Sequence, residues 1–352
     1  MRIWEARGNR SMNKKIVLAA MCVFALSAVS CAKKNTVQSA AVSDEEEKEA
    51  QAARISLGFS TNLEDPRGVA SLLFKDEVEK NSLGRICIDI HPNGELGGDG
   101  EIIEGVINGK VDMTVSSAGN FAVYATKLGI SALPFLFSDF DEAWAFMDGD
   151  LVAEVNKTLE DFGIVVLSHF DNGFRCVTTT DRRVESVSDM KGLHIRTPPN
   201  QIVMETMLSL GAEPKPYAFN ELKKALRDGL FDSEENPIPV IYNAKLFEEQ
   251  KYLAITNHSY DAMPLVIRKD VWDMFSANDK AILLDAAKKA QDLDRKLVRE
   301  QTDSCVEKLR ESGMIITFPD LQAFQDATSS VMGVFTTVYG ETLLSKLKDT
   351  VK

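Results

Sequence analysis

Residues 192–237 have the sequence GLHIRTPPNQIVMETMLSLGAEPKPYAFNELKKALRDGLFDSEENP, and this stretch decides the fold. Leu193 and Ile195 alternate with polar residues, which predicts a short strand buried on one face. Apolar residues at helical spacing then predict helices over 201–210 and 220–228, before a new strand begins within DSEENP. Strands that alternate with short helices are typical of an α/β fold with a parallel sheet covered on both faces.

The same alternation occurs earlier in the chain. Alternating apolar residues predict strands over 55–59, 85–91 and 111–116, with helices over 66–80 and 101–108 between them. Two further strands are predicted over 164–169 and 174–179. The chain therefore contains two α/β units.

A long uninterrupted helix is predicted near the C-terminus. Residues 277–312 contain neither glycine nor proline, and apolar residues recur there at helical spacing. Ser276, with Asp279 three residues later, resembles a capping box at the start. About 33 residues make a helix of roughly 50 Å, longer than one small domain is wide, so it could cross two domains. The alternative is two shorter helices with a break near 291–294.

Composition and charge limit the possible partners. The chain has 352 residues, enough for two domains, with 44% hydrophobic and 26% charged residues, as in ordinary globular proteins. Its net charge of −13 disfavours binding to nucleic acid and to anionic membrane surfaces, because both would repel it. Any anionic ligand must therefore be held by local cations.

The N-terminus has the features of a signal peptide over residues 1–30. Lys14 and Lys15 precede an apolar run over 16–29, which is too short to span a bilayer. Small residues then precede Cys31, as in the lipobox of bacterial lipoproteins, although Ala28 stands where leucine is usual. We expect Cys31 to be lipidated; a plain secreted protein is the alternative. Residues 31–53 are polar and charged, which predicts a flexible tether.

No pattern of metal-binding or catalytic residues stands out. Cys87, Cys176 and Cys305 have no zinc-like spacing, and the four histidines are scattered, so no metal and no cofactor are predicted. Cys176 with His169 is the one candidate nucleophile–base pair, but Cys176 lies within a predicted strand. Phosphate-binding and hydrolase motifs are absent from the sequence. We therefore do not expect an enzyme.

Two arginines and an asparagine lie at predicted strand ends. Arg175 begins one strand, Arg196 ends another, and Asn236 lies between acidic residues and Pro237. Ligands of open α/β sheets bind where strand ends meet loops, and a guanidinium matches a carboxylate bidentately. The residues alone leave two interpretations open: a carboxylate site, or arginines that pair with surface acids.

The chain resembles the DctP-type substrate-binding subunits of TRAP transporters from about Arg54 to its C-terminus. The resemblance rests on HPNGELGGDG at 91–100, LPFLFSDFDEAWAFMDG at 133–149, GFR at 173–175, GLHIRTP at 192–198 and DSEENP at 232–237. It implies a two-lobed α/β periplasmic-binding-protein-like fold with a hinge and a long helix spanning both lobes. Lobe I would comprise 54–173 plus about 262–301, and lobe II 174–261 plus about 302–352.

The resemblance also implies ligand-binding roles for individual residues. Arg196 would form the salt bridge to the ligand carboxylate, Arg175 would be a second carboxylate contact, and Asn236 and Phe219 would complete the site. Where the family has DGQENP this chain has Glu234 in place of glutamine, which would face either the cleft or solvent. Cleft residues of the first lobe are expected around 61–67, 99 and 116–120, without individual assignment.

The function implied is that of an extracytoplasmic solute-binding lipoprotein. It would capture an organic acid in the periplasm, remain anchored to the membrane through Cys31, and deliver the acid to TRAP membrane permease subunits. The alternative is a partner-binding or sensory lipoprotein on the same scaffold, with a tetratricopeptide-repeat protein as its partner. The cargo itself is left open, from dicarboxylates to sugar acids.

Overall fold

The computed structural model describes residues 52–350. The predicted signal peptide, Cys31 and nearly all of the tether lie outside these residues. The strands are β1 (Ala53–Gly58), β2 (Ile86–His91), β3 (Met113–Val115), β4 (Ile164–Thr179), β5 (His194–Thr197), β6 (Glu213–Pro216), β7 (Ser233–Pro237), β8 (Tyr252–Arg268) and β9 (Ile315–Thr317).

Thirteen α-helices occur in this part of the chain. They are α1 (Pro66–Asn81), α2 (Asp99–Ile107), α3 (Ala118–Phe121), α4 (Phe140–Met147), α5 (Asp150–Asn156), α6 (Gln201–Ser209), α7 (Phe219–Arg227), α8 (Ile238–Asn243), α9 (Lys269–Met274), α10 (Ala277–Glu311), α11 (Leu321–Thr328), α12 (Val331–Tyr339) and α13 (Glu341–Thr350). No helix within 52–350 is both long and apolar enough to cross a membrane.

The strands form one sheet in the order β2-β1-β3-β8-β4-β7-β5-β6, and β9 pairs with β8. The pairs β1–β2, β1–β3, β5–β6 and β5–β7 are parallel, as the alternation of strands and helices predicts. The centre of the sheet differs, because β4 runs antiparallel to both β7 and β8. The parallel pairing predicted for the alternating strands and helices is therefore confirmed, and the antiparallel centre is a feature that the alternation did not predict.

The two central strands are the longest. The separate strands predicted over 164–169 and 174–179 are one strand of 16 residues, β4, and β8 has 17 residues. Register shifts between Val166 and Ser168, Asp171 and Gly173, and Arg175 and Val177 interrupt the pairing of β4 with β8 without ending it. Gly173 therefore marks an irregularity in a continuous strand, not a break between two strands.

The long helix is confirmed as one element, so the alternative of two shorter helices is wrong. Helix α10 has 35 residues, and the Ser276 side chain caps it by accepting from the Asp279 backbone N–H at 3.1 Å. Its first half packs with Leu283 and Ala287 into the core beneath β1–β3, and its second half packs with Cys305 and Leu309 into the core around α7 and α8. Helix α10 therefore contacts both ends of the sheet.

Four clusters of buried apolar residues form the core of the described chain. One lies with β1–β3, and two lie with β5 and α6–α8. The fourth packs α2, α4 and α5 against α6, α12 and α13, so it joins elements from both ends of the sheet. The lobe boundaries given above stay a prediction. Helix α13 contacts α5, and α12 contacts α6, so the C-terminal helices reach elements of both ends.

Candidate functional site

The four residues predicted for the ligand site line one small cavity of about 30 Å³ between the two ends of the sheet. Arg175, Arg196, Asn236 and Phe219 come from β4, β5, β7 and the start of α7. Residues near the β1–β3 end of the sheet, called the first end from here on, complete the wall: Ser60, Thr61, Arg67, Asp99, Ser117 and Asn120. The parallel pairing of β5 with β7 brings together strand ends that are about forty residues apart in the chain.

Arg196 is a buried cation that forms no salt bridge with a carboxylate of the described chain. Only 4% of it is exposed, and no carboxylate of residues 52–350 lies within salt-bridge distance of it. Nε and Nη2 donate to the backbone carbonyl of Tyr217 at 2.9 and 2.7 Å, whereas Nη1 donates to nothing in the described chain. Burial, and repulsion from Arg175, lower the pKa of Arg196 to about 10. One complete edge of the guanidinium is therefore open for an anion.

Arg175 lies on the same cavity in a different electrostatic setting. Nε donates to Glu235 Oε2, Nη2 reaches Glu235 Oε1 at 2.9 Å, and Nη1 donates to Asp261 Oδ2 at 2.7 Å. Burial lowers the pKa of Arg175, but the negative charges of Glu235 and Asp261 together raise it by more than burial lowers it. The net shift of the pKa is therefore upward. One Nη1 hydrogen remains without an acceptor among residues 52–350. Arg175 is thus neutralised by the protein, and its direct contact with a ligand stays a prediction.

Asn236 links Arg175 to Glu234. Its Oδ1 accepts from Arg175 Nη2 at 3.2 Å, and its Nδ2 donates to Glu234 Oε2 at 2.5 Å. Glu234 faces neither the cleft nor solvent, the two positions that the sequence suggested: it is fully buried behind the cavity wall. Burial outweighs the hydrogen bonds from Thr178 and Asn236 and raises the pKa of Glu234 to about 7.

Phe219 is the aromatic wall shared by three cavities. Its ring centroid lies 6.0 Å from the Arg196 guanidinium carbon, the outer limit of a cation–π contact. Besides the small cavity, Phe219 lines two larger cavities of about 470 and 240 Å³. Each of these also shares other lining residues with the small cavity. The small cavity is therefore the inner part of a wider cleft.

Arg67 is a functional candidate that the sequence did not single out. It follows Pro66 in the first turn of α1, is 4% exposed, and lies 3.9 Å from Asp99 Oδ1. Its Nε is buried and has no hydrogen-bond partner within the described chain. The expected regions around 61–67, 99 and 116–120 do reach the cavity. The signal available was a cation directly after the Asp65–Pro66 helix start.

Asp99 gives the first end of the site an acceptor. Its Oδ1 accepts from Ser60 and Ser116 at 2.8 and 3.1 Å, and its Oδ2 makes no hydrogen bond to residues 52–350. Asn120 donates to Ser116 at 3.0 Å, which leaves its carbonyl oxygen open. The first end therefore offers acceptors that suit hydroxyl groups, while Arg196 offers donors that suit a carboxylate.

The candidate nucleophile–base pair is not assembled. Cys176 contacts Asn257 Oδ1 at 3.2 Å, and burial raises the pKa of its thiol to about 11. His169 contacts Asn156 Oδ1 at 3.2 Å, and burial lowers its pKa to about 4. Within residues 52–350, no group of three His, Cys, Asp or Glu side chains is placed to hold a metal ion.

Comparison with known proteins agrees with this architecture. The family model for bacterial extracellular solute-binding protein, family 7 (DctP), matches residues 57–336. The 2,3-diketo-L-gulonate-binding periplasmic protein YiaO of Escherichia coli is 33% identical over 277 residues, which cover 78% of this chain and 84% of that protein.

Two solved structures superpose over most of their length. A TRAP periplasmic solute-binding protein from a Polaromonas species, bound to D-erythronate, gives a TM-score of 0.82 at 32% identity and covers 84% of this chain and 98% of its own. The sugar acid binding protein DctPAm from Advenella mimigardefordensis, in complex with galactonate, gives a TM-score of 0.82 at 26% identity, with coverage of 85% and 98%. Together with the family match, these similarities show that the chain belongs to the DctP family of extracellular solute-binding proteins, the substrate-binding subunits of TRAP transporters.

Proposed function

We propose that this protein captures an organic acid in the periplasm by binding its carboxylate to Arg196 and delivers it to TRAP permease subunits. The observation that carries the proposal is the open guanidinium edge of Arg196, which is buried and has no carboxylate of residues 52–350 within salt-bridge distance. A buried cation of this kind requires an anion to compensate it, and a carboxylate can accept two parallel hydrogen bonds from that edge.

The neighbouring groups would orient the acid. The remaining Nη1 hydrogen of Arg175 and the second Nδ2 hydrogen of Asn236 border the same cavity and add donors. The unpaired Asp99 Oδ2 and the Asn120 carbonyl would accept from ligand hydroxyl groups. Both bound acids named above, D-erythronate and galactonate, are hydroxylated monocarboxylates, and we therefore infer a hydroxylated acid as cargo.

Binding would be coupled to closure of two lobes. The ligand would bridge Arg196 on one end of the sheet and the Arg67–Asp99 group on the other, which favours the closed state over an open one. The lobes are those predicted from the sequence, 54–173 plus about 262–301 and 174–261 plus about 302–352. The strands β4 and β8 cross between the two ends of the sheet and would act as the hinge.

Delivery and anchoring are proposed on the basis of family membership and of the N-terminal sequence. The closed form would dock on the membrane permease subunits, where an ion gradient drives transport and the binding protein performs no chemistry. A lipid on Cys31 would hold the protein at the membrane, and the polar residues 31–53 would let it reach the permease. Metabolic labelling with a fatty acid, compared between the native chain and Cys31→Ala, tests the anchor.

Ligand identification tests the proposed function. The purified protein is denatured and the released small molecules are identified by mass spectrometry. Thermal shifts are then measured with D-erythronate, galactonate, gulonate, succinate and propionate. We expect a carboxylic acid to be released and at least one acid to raise the melting temperature, with the shift lost in Arg196→Ala and kept in Arg310→Ala, an exposed arginine on α10. If no acid is released and none stabilises the protein, the transport proposal fails and the partner-binding alternative is favoured.

A further inference from the structure

Glu234 is a buried carboxylate directly behind the candidate site, and no cation pairs with it. It lies on β7, is completely inaccessible to solvent, and has no basic group of residues 52–350 within salt-bridge distance. Its two hydrogen-bond partners are neutral: Thr178 Oγ1 at 2.6 Å and Asn236 Nδ2 at 2.5 Å. An ionised carboxylate is costly in such a place.

The hydrogen-bond network around Glu234 fixes where its proton belongs. Gln250 Nε2 donates to Thr180 Oγ1 at 2.9 Å and to the Glu249 carbonyl at 3.2 Å, so Gln250 presents its Oε1 to Thr178 at 3.1 Å. The Thr178 hydroxyl has one hydrogen but two acceptors within reach, Gln250 Oε1 and Glu234 Oε1. All three groups are satisfied only when Glu234 carries a proton and donates to Thr178, which in turn donates to Gln250.

The orientation of Asn236 depends on the same network. Because Arg175 can only donate, Asn236 must turn its Oδ1 to Arg175 and its Nδ2 to Glu234. Glu234 thus holds the amide of a candidate ligand-binding residue in one orientation. It does so without touching the cavity itself.

The charged groups around Glu234 set the sign of any coupling to a ligand. Arg196 faces it across the β5–β7 pair, Arg175 and Cys176 approach from β4, and Glu235 is its neighbour on β7. An ionised Glu234 would partly compensate the positive charge of Arg196 and would repel a carboxylate bound to Arg196. A protonated Glu234 leaves the Arg196 charge available.

We propose that Glu234 is a positioning residue that carries a proton when a carboxylate is bound at Arg196. Where Glu234 is ionised in the ligand-free protein, binding of the carboxylate takes up a proton there. The proposal rests on the function proposed above. Its consequence is a binding affinity that falls as the pH rises through neutrality. The direction agrees with the raised pKa of Glu234, about 7, because a second negative charge at Arg196 can only raise it further.

The first measurement needs no ligand. The side-chain carboxyl ¹³C shift of Glu234, assigned by comparison with Glu234→Gln, is followed against pH by NMR in the ligand-free protein. We expect a midpoint near neutrality. A midpoint below about pH 5, as for an ordinary glutamate, overturns the proposal whether or not an acid binds.

The second measurement is calorimetric titration with the panel acid that gives the largest thermal shift. Between pH 6 and pH 8.5 we expect the affinity of the native protein to fall about tenfold, with proton uptake visible as a dependence of the binding heat on the buffer. In Glu234→Gln the affinity should not vary with pH and no proton should be taken up. Glu248→Gln, an exposed acid on the same end of the sheet, should keep the native profile.

The outcomes separate the two proposals. A native pH profile that persists in Glu234→Gln shows that another group titrates and overturns the role of Glu234, while Arg196-dependent binding stands. If no panel acid binds, the proposed function fails and the coupling to ligand fails with it, even where the NMR midpoint is near neutral. A purely structural role for Glu234 predicts that Glu234→Gln binds more weakly than the native protein by the same factor at every pH, so that both show the same pH profile. That result contradicts the proposal.

Discussion

Two buried arginines border the same cavity, and the protein treats them in opposite ways. Arg175 is held by two carboxylates, Glu235 and Asp261, within a network that also reaches His258. Among residues 52–350, the contacts of the Arg196 guanidinium are the carbonyl of Tyr217 and the ring of Phe219. The same residue type, equally buried, is thus neutralised by carboxylates in one place and keeps an open guanidinium edge in the other. Residue identity therefore does not show which arginine could bind an anion; the groups around each one do.

The largest effect is expected from removing the paired arginine. In Arg175→Met, two carboxylates remain buried without a cation, so the free energy of unfolding should fall by about 3–5 kcal/mol in urea denaturation of the ligand-free protein. Arg196→Met should cost far less, because no carboxylate is left alone. Restoring neutrality with Arg175→Met, Glu235→Gln and Asp261→Asn together should recover much of the loss. An equal loss of unfolding free energy in Arg175→Met and Arg196→Met would mean that the two arginines do not differ in how their charge is compensated in the fold.

Ligand affinity should show the reverse order. Arg196→Ala should weaken binding of the captured acid by on the order of 2–5 kcal/mol, because the carboxylate then enters the cavity without its cation. Isothermal titration of the native protein, Arg196→Ala and the exposed control Arg310→Ala measures this loss. Binding of the acid by Arg196→Ala as tightly as by the native protein would mean that another residue anchors the carboxylate.

The pH dependence of stability tests the surroundings of the two arginines. The pKa of Glu234 is raised from 4.5 to about 7 in the folded protein, so its proton stabilises the fold at low pH. That contribution is complete below pH 4.5 and is lost as the pH rises to about 7; it amounts to roughly 3–4 kcal/mol. The difference in unfolding free energy between the native protein and Glu234→Gln, measured from pH 4.5 to 8, should therefore decline with pH. A flat difference would indicate that Glu234 is ionised throughout.

The smallest effect is expected at Phe219. Its ring lies at the outer limit of a cation–π contact with Arg196, so Phe219→Leu should weaken ligand binding by about 0.5–1 kcal/mol. Phe247→Leu, which removes a ring stacked on Tyr242 away from the cavity, is the matched control and should leave affinity unchanged. A loss of several kcal/mol in Phe219→Leu would place the ring, and not the guanidinium, at the centre of recognition.

Local sequence signals predicted much of the molecule. The absence of glycine and proline over 277–312 predicted α10 as one helix, and the strands beginning near 55 and 85 are present. Strand β8 was missed, and β4 was divided at Gly173, because both strands owe their length to pairing with each other. That pairing joins residues about ninety positions apart, which no local pattern records.

The sequence by itself determined many of the helices and strands, and its resemblance to the DctP family singled out Arg175, Arg196, Asn236 and Phe219, which all line one cavity. Only the tertiary structure decided that Arg175 is neutralised while Arg196 is open, that Glu234 is buried, and that Arg67 joins the wall. The physical reason is that charge compensation and burial depend on groups brought close by the sheet, such as Asp261 and Glu235 beside Arg175. Periodicity and capping act within a few residues, whereas these electrostatic partners lie 60 to 86 positions away.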